Sequence, residues 1–188
     1  MVLGKHDMDR RSLLGALAAS GVAGGVVSGV AGGVGVAASA QAAERSAPKA
    51  VHVYDAVALL EETVPHGTTP IGQRFRVPII GGTCEGPDIR GRILPGGFDW
   101  QLTRADGYVE LVADYFMETD DKVLIQVTNR GLLHLASPGG PASYVMSTPR
   151  FEAPMGKYGW LNQFVFAGTV APGVGPKPSV QLSIFKLV

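Results

Sequence analysis

The chain has one cysteine in 188 residues, Cys84, so no internal disulfide can form. It has few charges: 16 basic residues balance 16 acidic ones, and charged residues make up 17% of the sequence. No run of Lys and Arg interleaved with aromatics occurs, which excludes the electrostatic footprint of a nucleic-acid binder. Beyond residue 42 the histidines are His52, His66 and His134, none of them spaced four apart from another. Neither C-x-x-C nor H-E-x-x-H is present, so no metal site is expected, and each lone His reads as a surface or loop residue. There is no G-x-G-x-x-G, no P-loop and no G-x-S-x-G, which leaves nucleotide cofactors and the common serine-hydrolase plan without support. No cofactor is expected.

One long uncharged run is present. Between Arg11 and Glu44 there is no charged residue, and Ala, Gly and Val fill most of residues 16–38. The run follows Arg10 and Arg11 in Met8–Gly15 (MDRRSLLG), and it ends in two A-x-A sites, Ala38-Ser39-Ala40 and Ala40-Gln41-Ala42. A basic start, an apolar stretch and a small-residue cleavage site make a secretory signal. The paired arginines point to the twin-arginine route, with Leu13 where Phe is usual. Residues 1–42 are therefore expected to be a cleaved signal, with the export machinery as a partner and the periplasm or beyond as destination. A retained membrane anchor is the alternative, since the run is long enough to span a bilayer. Contact with a membrane is expected only through this segment.

Removal of residues 1–42 leaves 146 residues with 13 basic and 14 acidic side chains, a net charge of −1. That is one domain of ordinary size. Residues 43–50 read as a linker and 51–188 as the domain. Gly, Pro or Asp clusters then recur every eight to twelve residues. Between them lie strand-like runs, most of them alternating polar and apolar: Val51–Tyr54, Gln73–Ile80, Asp88–Leu94, Phe98–Leu102, Tyr108–Glu118, Val123–Arg130, Ser143–Thr148, Phe164–Val170 and Val180–Val188. In Tyr108–Glu118, one face carries Val109, Leu111, Ala113, Tyr115 and Met117. Asp55–Glu62 reads as strand or short helical turn, Pro65–Gly72 as turns, and only Lys157–Phe164 invites a helix. About eight strands without sustained helical periodicity predict an all-β fold, and a small antiparallel β-barrel in preference to a sandwich. Such a barrel has an interior able to hold side chains or one small ligand.

Gly81–Trp100 (GGTCEGPDIRGRILPGGFDW) resembles the opening of the DUF3237 family, also called UPF0311. Glu118–Asp121 (ETDD), Thr128–Gly131 (TNRG), Pro149–Glu152 (PRFE) and Tyr158–Asn162 (YGWLN) follow in the same order. The resemblance covers residues 52–188 and implies a small β-barrel of calycin-like or allene-oxide-cyclase-like form, without implying a function. The chain departs from the family pattern at Lys122, where Gly is usual, and at Asp114, where Arg is frequent.

The motif residues offer several chemistries. Glu85, Asp99 and Glu152 are the candidate general bases, and Asp99 beside Trp100 has the surroundings that raise a carboxylate pKa. Arg130 and Arg150 offer rigid forks of donors for a carboxylate or enolate oxygen. Tyr144, Tyr158, Trp160 and Asn162 are the candidate ligand-binding residues; the last three share a face if their segment is extended. Each has a structural alternative: a turn cap for Glu85, an outward ion pair for Asp99 with Arg92 or Arg104, rim salt bridges for the arginines, core filling for Trp160. Two functions follow. One is a cofactor-free lyase, hydratase or isomerase acting by acid–base chemistry on a small oxygenated organic molecule. The other is a periplasmic binding or carrier protein for a small organic ligand. A filled, purely structural barrel and self-association into a homo-oligomer also stay open.

Overall fold

The computed structural model describes residues 46–137 and 141–188. The expected signal segment lies outside the described residues, as does the start of the expected linker. Ten strands follow: β1 (Ala50–Leu60), β2 (Val64–Thr69), β3 (Gly72–Glu85), β4 (Arg90–Ile93), β5 (Gly97–Thr103), β6 (Tyr108–Thr119), β7 (Leu124–Leu135), β8 (Ala142–Glu152), β9 (Val165–Pro172) and β10 (Ser179–Leu187). A 3-10 helix, Gly159–Gln163, bridges β8 and β9.

Each strand lies antiparallel to its neighbours, and β1 pairs with both β10 and β3, which closes the sheet. β1 and β2 lie along β3 in succession, and β4 and β5 together fill the place between β3 and β6. Counted around the wall, these ten segments make an eight-stranded up-and-down barrel, the expected class. Closure removes the exposed edges that an open sheet carries. Asp55–Leu60 continues β1, the strand alternative. One local reading is corrected: the turn-rich Pro65–Gly72 supplies most of β2, where ladder pairing with β3 outweighs local turn propensity.

Alternation decides what enters the barrel. Ile125 and Val127 on β7, Tyr115 and Met117 on β6, Phe151 on β8, Phe166 on β9 and Ile184 on β10 are all buried. With Tyr54 they pack one end of the barrel solid; Phe151 and Phe166 meet edge to face at 4.8 Å and Tyr54 meets Phe151 at 6.2 Å. The opposite end is walled by Ala58, Ala113, Gly131, Ser147, Ala171 and Ser179, whose small side chains leave a cavity of about 480 Å³. Gly82 lets β1 close on β3: its φ is +146°, and a Cβ there would lie 2.0 Å from the Val57 carbonyl oxygen.

The β6–β7 turn bears on the family pattern. Lys122 has φ +67°, a left-handed conformation that disfavours a side chain. Its ammonium reaches Glu118 at 3.1 Å, an exposed contact of little worth. Lys122→Gly is therefore expected to stabilise the fold by about 0.5–1 kcal/mol, read as a higher urea midpoint with unchanged slope.

Candidate functional site

The cavity gathers its polar groups in two layers that follow from strand register. Asp99 pairs with Ala113, and Ala113 with Asn129, so the two polar residues flank a methyl group on the inner wall. Their backbones stand roughly 10 Å apart, two strand spacings. One layer nearer the mouth, Gln101 pairs with Leu111, Leu111 with Gly131, and Gly131 with Ser147. A Cβ on Gly131 would press on Leu111 at 3.2 Å, so glycine keeps this level open. Leu60, Leu133, Leu135, Pro141, Val145, Pro172 and Val180 complete the lining toward the mouth.

Asp99 is the one carboxylate in this lining among the described residues. Burial pushes its pKa up, and hydrogen bonds from Gln101 and the Val112 backbone pull only partly the other way. Gln101 Nε2 donates to Asp99 Oδ2 at 2.7 Å and fixes the carboxyl. Asp99 Oδ1 and Asn129 Oδ1 are buried without a partner meeting hydrogen-bond geometry. Buried polar atoms are normally satisfied, so these two acceptors are exceptions within the barrel wall. Tyr115 forms the floor. Its hydroxyl is hydrogen-bonded to Tyr54, and burial raises both phenols, so they stay protonated. No Lys, Arg or His lines the cavity among the described residues. Nor do three or more His, Cys, Asp or Glu side chains gather as a metal set anywhere among them.

Of the nine residues singled out in the sequence, Asp99 alone enters this cavity. Glu85 is exposed at the end of β3 and pairs with Arg90. Arg130, Arg150 and Glu152 are exposed on the outer wall. They alternate with the inward Asn129 and Phe151, and strand periodicity sends neighbours to opposite faces. Tyr144 is likewise exposed. Arg150 and Glu152 share a face, the outer one. With Asn162 they border a groove between β8 and β9, which pair only through Met146–Thr169 and Ser147–Gly168.

Tyr158, Trp160 and Asn162 do not share an extended face, because their segment is the 3-10 helix and its entry. Tyr158 is buried and donates to Asp121 Oδ1 at 2.7 Å. Trp160 packs on Phe166 and is overlain by the Lys186 ammonium at 5.5 Å. Asn162 accepts from Ala153 N at 2.9 Å and donates to Ala153 O at 2.8 Å, tying the helix to the end of β8. Asn162→Ala is expected to cost about 1–2 kcal/mol of stability, since both backbone groups lose a partner; chemical denaturation measures it.

The sequence reading passed over Gln101, Asn129 and Ser147. A signal for Asn129 was present: it lies in phase with Ile125 and Val127, so it faces inward, whereas Arg130 is out of phase. A polar residue on the apolar face of a strand is the informative one.

The model of the family described as a protein of unknown function (DUF3237) matches residues 48–187. The chain belongs to the DUF3237 family. A UPF0311 protein from Rhodopseudomonas palustris is 34% identical over 131 residues, covering 64% of this chain and 86% of the relative. The crystal structure of that organism's conserved protein of unknown function RPA1785 superposes with a TM-score of 0.70 at 29% identity, over 77% of this chain and all of the other. A β-barrel-like protein from Acinetobacter baumannii gives a TM-score of 0.69 at 29% identity, over 78% of this chain and all of its own. An enzyme from Penicillium herquei, at 21% identity and a TM-score of 0.62, covers 78% of this chain and 99% of its own. It shares the DUF3237 fold.

Proposed function

We propose that this DUF3237 protein is an exported, cofactor-free acid–base enzyme of lyase or isomerase type, with its reaction site in the barrel cavity. The observation that carries the reading is Asp99: a carboxylate fixed by Gln101, raised in pKa by burial, in a largely apolar cavity of about 480 Å³. A carboxylate poised in this way is the group such chemistry needs. Arg10 and Arg11 with the A-x-A sites support export before this chemistry is used.

In the step, Asp99 takes a proton from a carbon next to a ligand carbonyl. The electron pair left behind moves onto the carbonyl oxygen as an enolate. The Asn129 amide lies across Ala113 from Asp99, where its N–H can donate to that oxygen once the side chain turns it inward. Return of the proton to another carbon gives an isomer; loss of a β-hydroxyl as water gives a lyase product.

The test is solvent exchange. A panel of small apolar ketones is incubated with the protein in D₂O, and loss of the α-hydrogen signal is followed by proton NMR. Catalysed exchange of at least one ketone, beyond a matched protein-free control, is the expected result. Tight binding of a ketone without exchange would replace the enzyme reading with the carrier reading.

A further inference from the structure

We infer, resting on the cavity as the reaction site, that it selects uncharged ligands, seats them polar end inward and rejects organic acids. Two observations carry this. The lining holds a carboxyl group, Asp99, and no Lys, Arg or His among the described residues, so an entering anion finds no counter-charge and meets like charge when Asp99 is ionised. The lining is also graded along its depth. Asp99 and Asn129 lie next to the Tyr115 floor, Gln101 and Ser147 one layer out, and Leu133, Leu135, Val145, Pro141 and Pro172 at the mouth. A ligand with one polar end and an apolar body matches that gradient in one direction only. From Tyr115 to Leu111 is four residues along β6, roughly 13 Å, a depth that suits an eight-carbon chain.

The exposed arginines are on the wrong side of the wall to relieve the exclusion. Arg130 and Arg150 project from the outer face of β7 and β8, separated from the cavity by the sheet itself. The described residues lining the mouth, Leu133, Leu135, Val145, Pro141 and Pro172, are apolar.

The experiment is calorimetric titration of the protein with four probes of one length: 2-octanone, 1-octanol, octanoate and octylamine at neutral pH. The ketone and alcohol are expected to bind, with octanoate weaker by roughly 30-fold or more. Asp99→Asn removes the like charge while keeping the shape, and is expected to raise octanoate affinity about tenfold with little change for octanol. Octanoate binding as tightly as octanone overturns the selection and leaves the ligand site standing. Octylamine binding more than about tenfold tighter than octanol also overturns it, because Asp99 then serves as a counter-charge. An unchanged octanoate affinity in Asp99→Asn removes the assigned cause. Absence of heat with all four probes removes the ligand site itself, and with it the reading on which the selection rests.

Discussion

Asp99→Asn is expected to lower catalysed exchange by about 10²–10⁴-fold, the range that a positioned general base contributes. The same substitution is expected to make the fold more stable at neutral pH, and the two effects share one cause. Asp99 is raised in pKa by burial, so the folded state disfavours its ionised form. The stability associated with its proton is fully present below the unfolded-state value of about 3.9 and is lost as pH rises through the higher folded value. Asn carries no charge at any pH. The variant therefore gains on the wild type as pH rises through that window, and the gap closes in acid. Gln101 keeps a partner, because its Nε2 donor, now 2.7 Å from a carboxylate oxygen, can donate to the Asn carbonyl instead. Urea denaturation across the pH range reads the stability arm, and deuterium exchange reads the activity arm. The pH–rate profile should show its acidic limb above the ordinary carboxylate range, since the base works only when deprotonated.

Phe166→Ala is expected to cost about 3–5 kcal/mol of stability, the largest effect of any single truncation considered. Phe166 is 2% exposed and lies against Phe151 at 4.8 Å and Trp160 at 6.3 Å. Its removal opens a void at the packed end, where Tyr54, Met117, Ile125 and Ile184 are held on every side and cannot collapse into the space. Val145→Ala at the mouth makes the contrast. Val145 is half-buried against a cavity that is already open, so its truncation creates little new void and should cost under about 1 kcal/mol. The difference between the two variants measures the asymmetry of the barrel, one end filled and one end empty. Equal costs would mean that the empty end closes up.

The fold was largely legible because alternation on strands is a strong and repeated signal. The run from Val109 to Met117 announced its inner face, and the punctuation at Asp106-Gly107, Pro95-Gly96 and Asp120–Lys122 placed the turns. Closure was less legible. It depends on β1 pairing with both β3 and β10, a contact between residues more than a hundred positions apart for the latter. β2 was misread for a related reason, as its ladder with β3 is tertiary and its own residues favour turns.

The site was legible in one residue. Asp99 stood out by its apolar surroundings, and it is the group that reaches the cavity. Arg130, Arg150 and Glu152 were attractive for their charge, yet charge on alternating strand positions usually marks the solvated face. Asn129 and Ser147 carry less obvious chemistry but stand on the inner phase. Reading phase before residue type would have ranked them correctly. Tyr158, Trp160 and Asn162 were placed on one face by assuming an extended segment. The 3-10 helix dispersed them into a buried anchor, a surface ring and a backbone tie.

The most direct test of the account is a carbon-13 NMR titration of the Asp99 carboxyl, assigned by comparison with Asp99→Asn, without ligand and with 2-octanone. The account predicts a pKa above the ordinary value near 3.9 in the free protein, and a further change in the Asp99 signal when the ketone fills the cavity. A normal or lowered pKa, with a signal indifferent to the ketone, would contradict it.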